Sequence, residues 1–296
     1  MSTEQANTSV LEAEVRSQPR TWRLAAELAS QAKLPQRGER VMIVGCGTSL
    51  FAGQAIAAWR ESAGEGETDA FAGSEVPLTR RYDRVAVISR SGTTTEVLRA
   101  IARLGHRCPV LALTATDPSP VIDAADDVVT LEFADETAIP QTRFPTSVMA
   151  LWRAALGHDV AALADRAEVA LDAALPAGLE SCRQFVFLGS GPAVGLASEA
   201  SLKFRETALV WTEAYPAMEL RHGPISLLGP ETLVWALGDL PPGLSDEVLA
   251  TGAHLEAGAE DPMVELVRIH RGALALARAK RLDPDNPPRL QRSIVL

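Results

Sequence analysis

The sequence has few cysteines, no long apolar run and no basic run, and each absence excludes a class of protein. Its 296 residues include three cysteines, Cys46, Cys108 and Cys182, whose spacing matches neither a disulfide framework nor a zinc site. No apolar run reaches the roughly 18 residues that span a bilayer, and the polar N-terminus lacks the hydrophobic core of a signal peptide. We therefore expect a reduced, cytoplasmic protein without a disulfide, a bound metal or a membrane partner.

The net charge of −10 argues against a further class, the nucleic-acid-binding proteins. An acidic chain without a basic run does not attract nucleic acid through bulk electrostatics. Phosphate can still bind to such a chain at a local site of backbone amides and hydroxyls. The hydrophobic content of 47% supplies a core, and the length fits one large domain or two medium ones.

Strand-like and helix-like segments alternate along the first half of the chain. The strand-like runs are Arg40–Gly45, Arg84–Ser89, Pro109–Thr114 and Asp127–Glu132, and the helical segments are Ser49–Ala63 and about Thr94–Leu104. This rhythm predicts an α/β fold, with a parallel sheet covered by helices on both faces. Ligands of such sheets bind at the carboxyl ends of the strands.

A second cycle of the same kind begins near Ser181. The stretch QFVFLGSGPA repeats the order of RVMIVGCGTS, which is an apolar strand, Gly-x-Gly and a helix. The later stretch TLVWALGD stands where VAVISRSG stands in the first half, but no hydroxyl-rich turn follows it. We interpret the chain as a duplicated α/β domain in which only the first copy kept this turn.

The duplication predicts five segments. They are an N-terminal helical segment (1–36), a first α/β domain with the hydroxyl-rich turns (37–160), a linker helix (161–180), a second α/β domain with a candidate catalytic helix and a histidine loop (181–260), and a C-terminal helix with a tail (261–296). The tail is expected to be an ordered crossing arm, because Ile294, Val295 and Leu296 would otherwise be exposed.

The turn in VISRSGTTTE concentrates hydroxyl groups around Gly92, where a strand ends and a helix begins. Free amides at a helix start, hydroxyl donors and a close backbone approach at glycine suit a phosphate monoester. Arg90 adds a charge-assisted contact. The alternative is a helix cap that only satisfies the helix's own amides. The hydroxyl residues are Ser89, Ser91, Thr93, Thr94 and Thr95.

A second turn, GCGTS, favours the ligand-binding interpretation, because it places Thr48 and Ser49 at another helix start after a strand of the same sheet. Two such turns can flank one ligand. The stretch GCGTSL lacks the third glycine of a dinucleotide-binding motif, and no Gly-Lys-Ser/Thr of a nucleotide P-loop follows.

The stretch from Ser198 to Pro224 is the densest in potential chemistry. Glu199, Lys203 and Glu206 share one helical face, at i, i+4 and i+7. Their alternative role is a surface salt bridge. Because the helix follows a Gly-x-Gly turn, its start is expected to face the strand ends. Glu206 is then a candidate general base, and Lys203 a stabiliser of a developing oxyanion or an orienting partner of Glu206.

The loop ELRHGP carries His222, whose side chain suits proton transfer to a sugar oxygen. No histidine pair has metal-ligand spacing, so we predict no metal. The other histidines are interpreted as structural or solvated: His106 between a helix and a strand, His158 in a linker, and His254 and His270 in helical patterns.

Together, GCGTS, SRSGTTTE, EASLKFRETALVWTEAYPAMELRHGP and NPPRLQRSIVL resemble the sugar isomerase (SIS) domain family. The resemblance implies two tandem SIS domains, each a flavodoxin-like parallel sheet flanked by helices, in a homodimer with active sites at subunit boundaries and no cofactor. It further implies that Glu206 is the base acting between C1 and C2, that Lys203 is its helix partner, and that His222 opens the sugar ring from the partner subunit. The residues implied to bind the sugar phosphate are Thr48, Ser49, Ser89, Arg90, Ser91 and Thr94, and ETAIPQTRFPTS (residues 136–147) resembles a further loop of the sugar site.

The chain also departs from the family pattern. It shows no N-terminal glutaminase domain and no cysteine directly after Met1, so we expect no glutamine-dependent amination. Arg292 stands where the family's aminotransferase has a lysine that forms an imine, and arginine stays protonated and forms none. Gln291 and Arg292 are instead candidates for binding an oxygen or an acyl group. Arg90 replaces a neutral amide of the phosphate loop.

Three functions remain open. The first is an isomerase or deaminase acting on glucosamine 6-phosphate by proton abstraction at C2. The second is a dehydratase that eliminates water from N-acetylglucosamine 6-phosphate, which the Arg292 replacement favours. The third is a non-catalytic sugar-phosphate sensor, which would need the hydroxyl turns but neither Glu206 nor His222.

Overall fold

The computed structural model describes residues 9–296, apart from the side chain of His106. Residues 1–8 of the predicted N-terminal helical segment and the interpretation of His106 therefore lie outside the described residues. Two helices open the described chain, α1 (Val10–Arg16), capped by the Ser9 hydroxyl, and α2 (Gln18–Leu28). None of the helices within residues 9–296 has both the length and the apolar character that crossing a membrane requires.

The first sheet consists of five parallel strands. Its strands are β1 (Val41–Gly45), β2 (Thr68–Ala72), β3 (Arg84–Ile88), β4 (Val110–Thr114) and β5 (Asp127–Thr130), and its helices are α3 (Thr48–Ser62), α4 (Thr95–Leu104), α5 (Pro120–Asp123) and α6 (Arg143–Ala155). The strand order is β2-β1-β3-β4-β5. Strands β1 and β4 are buried throughout, as their unbroken apolar runs predict. The sequence pattern did not indicate β2, because this half-buried edge strand has no such run.

The second sheet repeats the order of the first four strands of the first sheet. Its strands are β6 (Gln184–Gly189), β7 (Thr212–Pro216), β8 (Thr232–Leu237) and β9 (His254–Gly258), and the helices of this half are α7 (Val160–Ala170), α8 (Ala193–Ala208), α9 (Leu244–Ala250) and α10 (Pro262–Ala279). All four strands are parallel, in the order β7-β6-β8-β9. The predicted α/β fold, with two parallel sheets flanked by helices, is confirmed.

Alternate residues of β6 face two different cores. Phe185 and Phe187 point into the central core that joins the two sheets, where Phe204 of α8 contacts both rings. Val186 and Leu188 point into a smaller core on the opposite face of the second sheet. This period of two is the normal geometry of a strand, and it separates the elements packed on one face from those on the other.

Two predicted elements differ from the structure. The helix predicted at 161–180 ends at Ala170, and residues 171–183 form turns and coil. The helical interpretation of His254 is wrong, because this residue begins β9. Gly252, with a φ of +83°, ends the preceding helix and frees the next residues to pair with β8.

The C-terminal tail lies against α4 through its backbone. The Thr95 amide donates to the Ile294 carbonyl at 3.0 Å, and the Leu296 amide donates to the Thr95 hydroxyl at 2.9 Å. The expectation that the arm hides its apolar side chains is wrong, because Ile294, Val295 and Leu296 are 46%, 68% and 78% exposed. Backbone hydrogen bonds, rather than burial of these side chains, hold this end of the tail.

Candidate active site

The two hydroxyl-rich turns meet at one point of the first sheet. Strands β1 and β3 are neighbours, and each turn follows the carboxyl end of one of them. Helix α3 leaves β1 towards the central core, whereas α4 leaves β3 towards the opposite face. The turns therefore flank the point at which successive helices change to the opposite face of the sheet, which is where open α/β sheets bind ligands.

The first turn brings the backbone unusually close to its helix. A Cβ on Gly45 would lie 2.6 Å from the Ser49 carbonyl carbon, so only glycine fits there. Helix α3 starts without a side-chain cap at Gly47. Thr48 and Ser49 are 4% and 3% exposed. Their hydroxyls and the Thr48 amide are available to a small anion, whereas the Ser49 and Leu50 amides donate to the Cys46 and Gly47 carbonyls.

The second turn is shaped by Gly92, which has a φ of +65° and packs directly on Ser119. A Cβ at this position would lie 2.2 Å from the Ser119 hydroxyl oxygen. The Ser89 and Thr94 hydroxyls lie 3.5 Å apart. Thr94 forms no side-chain cap on α4. The Thr95 amide is taken by the Ile294 carbonyl, which leaves the Glu96 and Val97 amides available.

The structure places Arg90 differently from the sequence interpretation. Its guanidinium donates to the carbonyls of Ala138, Ile139 and Arg292 at 3.1, 3.4 and 2.9 Å. The side chain is buried, and desolvation lowers the pKa of the guanidinium from its ordinary value. Arg90 thus joins the segment after β5 to the tail, and its hydrogen bonds go to backbone carbonyls rather than to an anion between the hydroxyl turns.

The tail residues of the predicted site differ in their contacts. One guanidinium nitrogen of Arg292 donates to both carboxylate oxygens of Asp135, at 2.5 and 2.8 Å, and the other donates to the Glu136 carbonyl. Gln291 is exposed. The Thr93 hydroxyl donates a 2.9 Å hydrogen bond to the Ser293 hydroxyl, so the tail contacts the second hydroxyl turn.

The loop that follows β5 is organised by two buried carboxyl groups. Glu136 accepts hydrogen bonds from the Thr142 and Arg143 amides at 2.5 and 2.8 Å. Glu14, on α1, accepts from the Thr137 amide at 2.6 Å. Burial and the negative charge of Glu136 raise the pKa of Glu14 to about 7. A carboxyl group with a pKa near neutral therefore joins α1 to this loop.

The acid–base candidates on α8 are in direct contact. The Lys203 ammonium lies 2.5 Å from a carboxylate oxygen of Glu206 and 3.8 Å from one of Glu199. The Lys203 and Glu199 side chains are 1% exposed, whereas Glu206 is 19% exposed. The alternative of a surface salt bridge is therefore excluded. A buried ammonium beside a carboxylate that solvent can reach is suited to proton transfer.

Helix α8 runs antiparallel to α3, which decides where Glu206 lies. A Cβ on Gly195 would lie 2.6 Å from the Phe51 carbonyl, and further along α8 the Leu202 side chain lies 3.8 Å from a Cβ on Gly47. Glu206 is another turn along, at about 1.5 Å per residue. It therefore lies beyond the start of α3, on the side of the first sheet's carboxyl edge. The last turn of α8 faces the hydroxyl turns, whereas its start lies at the carboxyl end of β6, as the sequence predicts.

His222 lies on the other side of the second sheet. It ends a 3₁₀ helix (Ala217–His222) whose Ala217 and Leu220 pack in the smaller core with Val186 and Leu188. Phe204 of α8 packs in the central core. Within one chain, His222 and Glu206 are thus on elements that cover opposite faces of one sheet. His222 itself is exposed.

A buried polar cluster behind Lys203 was missed by the sequence interpretation. His270 of α10 lies 3.3 Å from Glu199 and 3.2 Å from Gln18 of α2. The sequence offered no signal for it, because a lone histidine in an apolar helical pattern looks like a core residue. Within residues 9–296, no group of three or more His, Cys, Asp or Glu side chains is arranged to hold a metal ion.

The first half of the chain matches a known domain family. The chain contains a SIS domain, whose family model matches residues 34–156. The glutamine–fructose-6-phosphate aminotransferase (isomerizing) of Aliivibrio fischeri is 30% identical over 258 residues, which are 75% of this chain and 42% of that protein. Its counterpart from Caldanaerobacter subterraneus subsp. tengcongensis is 27% identical over 87% of this chain and 52% of that protein. The chain thus spans about half the length of these curated relatives, or less.

Solved structures share the fold over almost the whole chain. A glucosamine-6-phosphate deaminase from Thermotoga maritima matches with a TM-score of 0.83 and 25% identity, covering 97% of this chain and 100% of that one. The C-terminal domain of glucosamine-fructose-6-phosphate aminotransferase from Francisella tularensis matches with a TM-score of 0.74 and 19% identity, over 97% and 100%. A tagatose-6-phosphate ketose/aldose isomerase from Escherichia coli has a TM-score of 0.73 and 21% identity, over 97% and 98%. At these two lower identities the likeness concerns the fold.

Proposed function

We propose that this protein is an isomerase/deaminase that converts glucosamine 6-phosphate to fructose 6-phosphate and ammonia. The observation that carries the proposal is the contact of Lys203 and Glu206 in the last turn of α8, which lies beside the start of α3. A phosphate held by the hydroxyl turns then leaves the sugar carbons within the region that Glu206 borders. The similar Thermotoga maritima protein is a glucosamine-6-phosphate deaminase, which supports the choice of substrate.

The chemistry needs one base and water. The Glu206 carboxylate takes the C2 proton of the open-chain aldehyde, and the electron pair moves towards the C1 oxygen to give an enolamine. The Lys203 ammonium stabilises the negative charge that develops on that oxygen. Return of the proton to C1 gives an imine at C2. Addition of water to the imine releases ammonia and leaves the ketose phosphate, so that no metal or organic cofactor is required.

We further propose that ring opening uses His222 of a second copy of the chain. The placement of His222 and Glu206 on elements covering opposite faces of the second sheet supports this proposal, because one chain does not join them. A homodimer with shared active sites would bring His222 of one chain to Glu206 of the other. Such a dimer presents the same surface twice, as two-fold interfaces do.

The second candidate is the dehydration of N-acetylglucosamine 6-phosphate. The observation that favours it is Arg292, whose guanidinium is held by Asp135 and offers no amine for imine formation with a ketose. An N-acetyl group also blocks simple release of ammonia. The same C2 carbanion would then expel the C3 hydroxyl, which takes up the proton that Glu206 removed and leaves as water, to give an unsaturated sugar.

The test is proton NMR in D2O with four separate substrates: glucosamine 6-phosphate, its N-acetyl form, glucose 6-phosphate and fructose 6-phosphate. Deuterium entering C2 of an aldose supports proton abstraction, and the product identifies the reaction. Ammonia with fructose 6-phosphate supports the deaminase, and an unsaturated sugar supports the dehydratase. Glu206→Gln is expected to lower the exchange rate by about a hundredfold or more, because general bases contribute roughly 10²–10⁴-fold.

Glu180→Gln is the matched control, since Glu180 is exposed and lies on a connecting segment. It should exchange at the wild-type rate. Line broadening of a sugar phosphate without any exchange would contradict both enzymatic candidates and favour a non-catalytic sensor. In that case Glu206→Gln would bind the sugar as well as the wild type does.

A further inference from the structure

A continuous set of buried polar side chains lies behind the Lys203–Glu206 pair, and the proposed reaction does not use it. It starts at Gln18 of α2, passes through His270 of α10 and ends at Glu199 of α8. The three side chains are 0%, 2% and 1% exposed. Burying three polar groups from three helices is costly unless they satisfy one another. Their arrangement therefore calls for an account of what it holds in place.

The hydrogen bonds determine which atom is the donor at each contact between Gln18, His270 and Glu199. The Gln18 amide nitrogen lies 3.1 Å from the Val15 carbonyl, which only accepts. The amide nitrogen therefore stays on that side, and its second hydrogen points at Nδ1 of His270, 3.2 Å away. Because Nδ1 accepts, the ring proton is on Nε2, which donates to Glu199 at 3.3 Å. The neutral ring thus presents one donor to one carboxylate oxygen.

The other oxygen of Glu199 is buried without a hydrogen-bond partner among the described residues. The nearest cation is the Lys203 ammonium, at 3.8 Å. The same ammonium touches Glu206 at 2.5 Å. Lys203 is therefore shared unequally between a buried carboxylate, which His270 partly satisfies, and a solvent-accessible one.

We propose that Gln18, His270 and Glu199 form a positioning triad that draws part of the charge of Lys203 away from Glu206 and so sets how readily Glu206 takes up a proton. Without Glu199, the ammonium serves Glu206 alone and holds it as an anion. Without the His270 donor, the Glu199 carboxylate attracts the Lys203 ammonium more strongly, so the ammonium stabilises the Glu206 carboxylate less. The triad acts through Lys203 and touches no substrate. Its meaning for catalysis rests on the proposed function.

The charged and titratable groups around this set come from several elements. Helix α3 has no charged residue from Thr48 to Trp59. The charged or titratable groups on the other elements are Glu199 and Glu206 on α8, His270 and Lys280 on α10, and Glu213 and Tyr215 on β7. The Lys280 ammonium donates to the Ala208 carbonyl at 3.0 Å. Substitutions at Glu199 or His270 therefore change the groups that contact Lys203 directly or through one hydrogen bond.

The test is ¹³C-carboxyl NMR titration of Glu206 in the folded protein, with the signal assigned by its absence in Glu206→Gln. Glu199→Gln should lower the titration midpoint of Glu206 by roughly one pH unit, the effect of one nearby charge. The glutamine keeps the shape and still accepts from His270. His270→Leu should move the midpoint the opposite way, and His270→Gln, which restores a donor, should return it towards the wild-type value.

Glu265→Gln is the matched control, because Glu265 is an equally buried carboxylate whose partners are Trp235 and Arg268. It should lose stability without moving the Glu206 midpoint. An unchanged midpoint in Glu199→Gln, or a shift of the same size in Glu265→Gln, overturns the triad. The titration needs no substrate, so it is separate from the proposed function, whose failure appears as no C2 exchange in the wild type.

Discussion

Glu14 is a residue whose protonation should be visible in the stability of the whole chain. Its pKa is about 7 in the folded protein, above the 4.5 of a free carboxyl group, so the folded state holds the proton more tightly. The stabilising contribution is therefore complete below about pH 4.5 and is lost as the pH rises through 7. We expect the free energy of unfolding to fall by on the order of 3 kcal/mol across that range from this group.

Urea unfolding of the wild type and of Glu14→Gln, at pH 5 and pH 8, checks this expectation. The variant should lose less stability between the two pH values, because glutamine accepts from the Thr137 amide without ionising. Glu27→Gln, a change at an exposed position, should behave as the wild type does. Equal losses in all three proteins would show that Glu14 ionises as freely folded as unfolded.

Single residues also show where sequence reasoning reaches and where it stops. Glu199, Lys203 and Glu206 were found from their helical spacing, because i, i+4 and i+7 place side chains on one face whatever surrounds the helix. The sequence did not predict the contacts of Arg90, whose guanidinium donates to carbonyls of residues distant in the sequence. His270 gave no signal either, since its partners come from α2 and α8. A side chain's direction depends on contacts that the local pattern does not contain.

Helix α8 carries an element-scale prediction, because its packing on α3 sets the position of Glu206. Gly195→Ala should separate the two helices, as the added Cβ would meet the Phe51 carbonyl at 2.6 Å and the Ala55 nitrogen at 2.8 Å. Overpacking of this kind costs about 1–3 kcal/mol. A displacement of about 1 Å at the site can lower rates by roughly a hundredfold. We therefore expect lower thermal stability together with much slower C2 exchange.

Gly229→Ala provides the comparison, since nothing lies within 4 Å of a Cβ there. It should keep both stability and exchange. A Gly195→Ala protein with wild-type exchange would mean that the position of Glu206 does not depend on this contact.

The elements themselves were predictable to different degrees. The buried strands β1, β3 and β4 follow from their apolar runs, and the helices after them follow from periodicity. The edge strands β2 and β9 did not, because they are short and half-buried and depend on pairing with a neighbour. The end of the linker helix at Ala170 was also missed, since no proline or glycine marks it before Pro176.

At the scale of the whole molecule, the proposed shared site can be tested by mixing inactive chains. Glu206→Gln and His222→Ala are each expected to be nearly inactive. Their refolded equimolar mixture should recover about one quarter of the wild-type activity, because half of the dimers are mixed and each of these has one intact site. The measurement is C2 exchange, with dimer composition checked by mass.

The double variant Glu206→Gln/His222→Ala, mixed with Glu206→Gln, is the control and should recover nothing. No recovery in verified mixed dimers of the two single variants would mean that both residues serve the same chain's site. The dimer itself would then need no role in the chemistry.

The matching strand order of the two sheets has a consequence for how this chain changes over generations. The hydroxyl turns belong to the first sheet, whereas Lys203, Glu206 and His222 belong to elements of the second. A gene with this layout can alter one repeat while the other stays under constraint. New reaction specificities selected from this scaffold should accumulate substitutions in α8, the His222 loop and the tail. Under the proposed function, the turns after β1 and β3 should remain as they are, since every descendant would still have to bind the same phosphate.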